Sequence, residues 1–188
     1  MNPDDDVPGT VWVETVLDPG EPFRIKVHLN DRSWTLGRDG AIRYALAVLQ
    51  AAHYADYDSA TLQLLVKAGV SAEAAGALIA DDLRPDRERL DNEALAPLGL
   101  DVGITPGGAP FIMILLDEQP VGQWDVEGAV KHAQTVLSAM FAAGLDAALY
   151  QAMVTQVGLE AGRARNVIRG LGEYRMLQGR RSPFICEG

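Results

Sequence analysis

The chain has 188 residues, of which 48% are hydrophobic and 22% are charged, and 26 acids against 16 bases give a formal net charge of −10. These proportions are typical of a folded globular protein and exclude a disordered tail, a collagen-like repeat and a Pro/Gly-rich linker. The length suits one large domain or two small ones.

Cysteine content and the N-terminal residues bear on the compartment. Cys186 is the only cysteine, so the chain can form neither an internal disulfide nor a cysteine-based zinc cluster, which favours a reducing interior. The first residues, Met1 to Asp6, are polar and acidic, unlike a secretory signal peptide. We expect a cytoplasmic protein whose residues 1–9 form an acidic disordered N-terminus.

Three strands are predicted first. Val11 to Val16, Phe23 to Leu29 and Ser33 to Leu36 are separated by turn residues. In the second strand, apolar residues alternate with polar ones, which predicts one buried and one wet face.

Three helices are predicted next, at about residues 39–55, 58–67 and 71–83. The first carries a stripe that includes Ala45, Leu46 and Val48, and Asp58 is placed as the N-cap of the second. Residues 85–97 are charged and bracketed by prolines, so they are predicted to be a linker.

The same order of elements is predicted again after the linker. Strands are expected at Leu100 to Ile104, Phe111 to Leu116 and Val121 to Trp124. Helices are expected at about residues 126–143, 146–156 and 160–175, with Asp146 as an N-cap and a tail over 176–188. Phe111 to Leu116 is apolar on both faces, so it is expected to lie deeper than its counterpart.

An offset of 88 residues relates the two series of elements. Pro22-Phe23 then falls on Pro110-Phe111, and 11 of the 27 residues from Gly40 to Val66 are identical to residues 128–154. With one added residue, Gly69 falls on Gly158. The pattern predicts an α+β protein built by tandem duplication of a β-β-β-α-α-α unit, with repeats at 10–84 and 98–175 and a pseudo-two-fold arrangement.

The most apolar long stretch, Val136 to Val154, was tested as a membrane span. Asp146 lies within it, and an aspartate at mid-bilayer costs roughly 2.5–3.5 kcal/mol on insertion scales. Buried core helices are therefore the preferred interpretation, and no membrane partner is expected.

Candidate chemical sites are few. His53, Asp56 and Asp58 have the spacing of a metal-ligand cluster, but capping and solvation also explain them. Pro106 to Ala109 is interpreted as a hairpin turn and not as a phosphate loop, because no Lys-Ser/Thr follows. None of the nucleophile, zinc-protease or nucleotide-binding motifs that we sought is present. No catalytic residue, metal or cofactor is therefore predicted.

Charge is unevenly distributed along the chain. Residues 90–159 contain eight acids and one base, whereas residues 163–181 contain six arginines and one acid. Four arginines are predicted to bind a partner: Arg163, Arg165, Arg169 and Arg175. A solvated helix face explains them equally well. Nucleic acid is disfavoured because the rest of the chain is acidic and no aromatic residues are interleaved with the arginines.

These features predict a non-enzymatic protein-interaction module, such as an adaptor, a chaperone-like binder or an inhibitor, acting on a protein partner or on another copy of itself. The alternative is a small-ligand-binding protein or an enzyme with its site in the groove between the repeats. A deep polar pocket would favour the alternative, and an exposed apolar patch would favour the interaction module.

Overall fold

The computed structural model describes residues 11–18, 21–29, 32–84, 90, 98–105 and 107–179. It confirms the α+β class, with two antiparallel three-stranded sheets and helices after each. The first sheet is formed by β1 (Val11–Asp18), β2 (Glu21–Leu29) and β3 (Arg32–Leu36), and the second by β4 (Leu98–Ile104), β5 (Pro110–Leu116) and β6 (Gln119–Trp124). The predicted N-terminal segment, every residue of the predicted linker except Leu90, and residues 180–188 of the predicted tail lie outside the described residues.

The pairing of β1 with β2 is repeated in the pairing of β4 with β5, at an offset of 87 residues and not 88. Val13 pairs with Val27 in the first sheet, and Leu100 pairs with Ile114 in the second. A bulge opposite Ile114/Leu115 then adds one residue, Val121, to β6, so that residues 34–36 of β3 correspond to residues 122–124 of β6 at an offset of 88. The predicted match of Phe23 to Phe111 is therefore out of register by one residue.

The central strands of the two sheets, β2 and β5, each bury alternate residues. The expectation that β5 lies deeper than β2 is therefore wrong. Ile112 and Ile114 are buried, but the alternate side chains Phe111, Met113 and Leu115 are only half-buried. None of the described helices covers that side of the sheet, because the long helices pack on the other side.

Each sheet is followed by one continuous helix of 30 residues, α1 (Arg38–Lys67) and α3 (Val126–Thr155). The predicted breaks, with Asp58 and Asp146 as N-caps, are therefore wrong. Both aspartates lie inside a helix on its inner side and are almost completely buried. Capping preference was overridden because these carboxylates have interactions inside the fold.

A shorter helix follows each long helix in the chain. α2 (Ala72–Leu78) starts at Ser71, whose hydroxyl accepts the Ala74 amide, and runs into a π-helical turn (Ile79–Leu83). α4 (Ala161–Gly179) follows α3. Gly69 and Gly158 both have positive φ at the turn between helices, as a helix-ending glycine requires.

The long helices are exchanged between the two halves of the chain. α1 makes most of its sheet contacts with β4 and β5, and α3 makes most of its sheet contacts with β1 and β2. Residues from both sheets and both long helices form one continuous core. Neither half buries its own sheet, so the two sheets depend on each other.

Alanines make up six of the eleven buried residues of α1 and four of the eight buried residues of α3. Ala45, Ala51 and Ala52 of α1 and Ala129 and Ala133 of α3 are fully buried. The predicted stripe on α1 was wrong at Leu46, which is 57% exposed, and it missed Tyr44, which is fully buried.

Candidate interaction surface

The outer side of α3 carries large apolar side chains. Phe141, Leu145 and Leu149 are 64%, 68% and 40% exposed and stand four residues apart, which places them on one face of the helix. The inner side of the same stretch is occupied mainly by smaller residues such as Ala143 and Ala147. The usual pattern of large apolar residues inside is therefore inverted here.

No charge interrupts this outer side. Between Lys131 and Glu160, the only residue with a formal charge is Asp146, which is 3% exposed. We call this surface the uncharged face and define it by its outward residues: Gln134, Ser138, Phe141, Leu145, Ala148 and Leu149. Depletion of charge and enrichment of large apolar side chains are features of protein-interface cores.

α3 is the helix that, among the described residues, is long and apolar enough to cross a membrane by length and composition. Only 28% of its most apolar window is buried within the protein. The buried side nevertheless packs on α1 and on the first sheet, and it carries Asp146. Most of that window is therefore not buried within the protein, and Phe141, Leu145 and Leu149 of α3 are exposed.

The predicted arginines lie on α4, which packs against α3. Arg163 and Arg169 are exposed, whereas Arg165 is half-buried and its Nε atom is buried without a hydrogen-bond partner among the described residues. The side chain of Arg175 lies outside the described residues. Ile168 of the same helix is buried, but Val167 is 45% exposed.

A buried polar cluster lies where α1 meets α3. The hydroxyl of Tyr44 and the Nε2 atom of His132 are 3.0 Å apart, and the ring of Trp124 stacks on His132 at 4.8 Å. Burial lowers the pKa of His132 to about 4 and raises the pKa of Tyr44. Both groups are therefore neutral at pH 7, and the Tyr44 hydroxyl donates a hydrogen bond to Nε2 in the tautomer that carries its proton on Nδ1.

A second polar cluster holds the β4–β5 turn against α1. Ser59 donates a hydrogen bond to the carbonyl of Gly108, and Arg84 donates from Nε to Asp58 Oδ2 at 3.0 Å. Asp58 is completely buried and Arg84 is one-third exposed. Arg84 directly follows the π-helical turn. These contacts hold the β4–β5 turn and the π-helical turn against α1, and they do not present reactive groups to solvent.

The histidine–aspartate pattern does not form a metal site. His53 and Asp56 are exposed, whereas Asp58 points inward to Arg84. Within the described ranges, no group of three or more His, Cys, Asp or Glu side chains could hold a metal ion.

A small depression lies between the two halves. Arg24, Arg38, Met140 and Ala143 are among its lining residues, and it encloses about 160 Å³ of empty space, open solvent included. Small-molecule pockets usually hold about 300–1,000 Å³, so a drug-sized ligand does not fit.

The contacts between the long helices show their relative direction. Ala41 of α1 lies near Met140 of α3, whereas Tyr44, further along α1, lies near His132, further back along α3. The two helices therefore run antiparallel.

The partner-binding role of the arginines stays a prediction, and the uncharged face was not predicted from the sequence. The helical stripe was assigned to the core because large apolar residues are normally buried. The signal that could have identified the surface is the long interval without charges from Lys131 to Glu160.

Comparison with protein-family models, with curated proteins and with solved structures found no match to this chain.

Proposed function

We propose that this chain is a protein-interaction module that binds its partner through the uncharged face of α3. The observation that supports the proposal is the exposure of Phe141 and Leu145 on a helix surface without charges. Contiguous apolar surfaces of this kind mark binding sites in soluble proteins. The exposed Arg163 and Arg169 on the neighbouring α4 give the site a basic rim.

The small-ligand alternative has a weaker basis. The depression beside Arg24 and Arg38 combines positive charge with apolar walls, which suits a small anion. Its size, however, leaves no room for burying a substrate of ordinary dimensions.

We also propose that the protein arose by tandem duplication and has a pseudo-two-fold arrangement. Equal strand registers at an offset of 87 and helices of equal length at 88 support the proposal. At an offset of 89, Ala75 and Ile79 correspond to Ala164 and Ile168, and all four are buried. Tyr44 and His132 stand at equivalent positions and contact each other, as residues on a two-fold axis do.

Site-specific photocrosslinking tests the proposed binding face. A photoreactive phenylalanine analogue is placed at position 141 or 145 of the full chain and irradiated in a lysate of the source cells. We expect adducts at both positions, because the exposed apolar side chains lie in the interface. Thr35, exposed on the first sheet, serves as the matched control position.

The mass of each adduct decides among the outcomes. Adducts to any protein at 141 and 145, but not at 35, support an interaction module. Equal labelling at all three positions, or none, contradicts the proposal. Recovery of lipid adducts alone would assign the face to a membrane surface and would also contradict it.

A further inference from the structure

The two ends of the molecule have the same architecture and opposite charge. We define the first hairpin as residues 53–84, the second half of α1 with α2 and the π-helical turn, and the second hairpin as residues 141–172. Residues 72–83 contain three acids and no base, and the corresponding residues 161–172 contain three arginines and no acid. Equivalent segments of the fold, although not equivalent residues, therefore carry opposite charges.

The acids of the first hairpin are available for intermolecular contact. Glu73, Asp81 and Asp82 are exposed, and none forms a salt bridge with another residue of the described chain. Arg163 and Arg169 of the second hairpin are likewise exposed and outside the salt bridges of the described residues. Complementary charges of this kind steer association and fix its register.

Apolar residues are exposed at equivalent positions of the two hairpins. Tyr57 corresponds to Leu145 at an offset of 88 and Leu78 to Val167 at 89, and all four are between 39% and 68% exposed. Each hairpin thus combines an apolar centre with charged neighbours.

The hairpins lie at opposite ends of the molecule. Because α1 and α3 run antiparallel, their C-terminal ends point in opposite directions. No close packing joins α2 to α4 among the described elements. One chain therefore cannot bring its own two hairpins together.

We infer that the occupant of the uncharged face is a second copy of this chain, whose first hairpin binds the second hairpin of its neighbour. This inference rests on the proposed function and names its partner. The contact is head-to-tail, so it generates a closed ring or an open filament. Pairing two second hairpins with each other would instead bring six arginines together, which like-charge repulsion disfavours.

Charge reversal at each end tests the pairing. Sedimentation of the purified full chain is measured over a range of concentrations in low and high salt. We expect Arg163→Glu with Arg169→Glu, and separately Asp81→Arg with Asp82→Arg, to raise the dissociation constant of self-association by about tenfold or more. Arg38→Glu with Arg43→Glu is the matched control, because both arginines are exposed on the first half of α1 and the net charge changes equally.

Mixing the two reversed variants is the decisive measurement. The mixture restores complementary charges at every contact, so we expect association to return in the mixture although each variant alone is monomeric. If the Asp81/Asp82 variant does not fold by circular dichroism, Glu73→Arg replaces it.

Three results would overturn the inference: a wild-type chain that stays monomeric, association insensitive to reversal at either end, or failure of the mixture to associate. Adducts at positions 141 and 145 to a different protein, with a monomeric chain, would leave the proposed function intact and reject only the second copy as partner.

Discussion

Buried polar residues of this protein are explained by contacts with distant parts of the fold rather than by local helix preference. His132 is neutral because burial among Tyr44 and Trp124 disfavours its charged form. Asp58 is kept in the middle of a helix by Arg84, which approaches from the π-helical turn. Both positions make the stability of the fold sensitive to charge.

The stability of the protein is expected to fall in mild acid because of His132. The pKa of this ring is about 4 in the folded chain and about 6.5 in an unfolded one. The unfolded state therefore binds a proton that the folded state does not, so stability is complete above pH 6.5 and decreases as the pH falls toward 4. The loss reaches about 3 kcal/mol, from 1.4 kcal/mol per pH unit. Urea unfolding at several pH values measures it.

His132→Phe is the control, because the ring remains and the titration disappears. Its free energy of unfolding should change less between pH 6.5 and 4 than that of the wild type, by about the same 3 kcal/mol. Equal slopes for the two proteins would show that His132 is not buried in its neutral form.

Loss of Arg84 is expected to cost more than loss of an exposed arginine. Arg84→Met leaves the completely buried Asp58 carboxylate without this partner, which should lower the free energy of unfolding by about 3 kcal/mol. Arg43→Met, on the exposed side of α1, should change it by about 0.5 kcal/mol or less.

A double-mutant cycle separates charge from packing. In an Asp58→Asn background, Arg84→Met should cost much less, because no buried charge remains to be neutralised. The same cost in both backgrounds would mean that Arg84 stabilises the fold by packing alone.

At the scale of elements, small side chains decide which helix faces lie inside. Alanines make up about half of the buried residues of α1 and α3, whereas Phe141, Leu145 and Leu149 are exposed. Small residues of α3 therefore face the core, and several of its large apolar residues face outward.

An alanine-to-leucine pair on α3 tests this arrangement. Ala133→Leu inserts volume into the fully buried contact with α1, so it should destabilise the protein by about 1–3 kcal/mol. Ala148→Leu, on the exposed side of the same helix, should change stability by about 0.5 kcal/mol or less. Thermal unfolding of both variants measures the difference, and equal effects would contradict the packing described.

The elements were more predictable than their arrangement. Periodicity located all six strands and the starts of both long helices, because alternation and N-terminal helix signals are local. The breaks at Asp58 and Asp146 were predicted wrongly, since a buried carboxylate and a capping carboxylate look alike in sequence. The exchange of helices between sheets, and hence the outward side of α3, depends on contacts between distant residues that no local pattern encodes.

At the scale of the whole molecule, exchange of the long helices joins the halves more firmly than the linker does. A protease site introduced within residues 91–97 and then cut should leave both fragments bound, because α1 covers the second sheet and α3 covers the first. Co-elution of the fragments on size exclusion at micromolar concentration is the measurement. Separation under native conditions would show that each half folds by itself.

The position of α3 in the chain also has a consequence for biosynthesis. Ile25, Val27 and Leu29 are translated well before α3, which supplies most of the helix packing on their sheet. At ribosomal rates of about 5–20 residues per second, roughly a hundred intervening residues correspond to about 5–20 s. During that interval the nascent first sheet presents its apolar side without the helix that covers it in the folded protein.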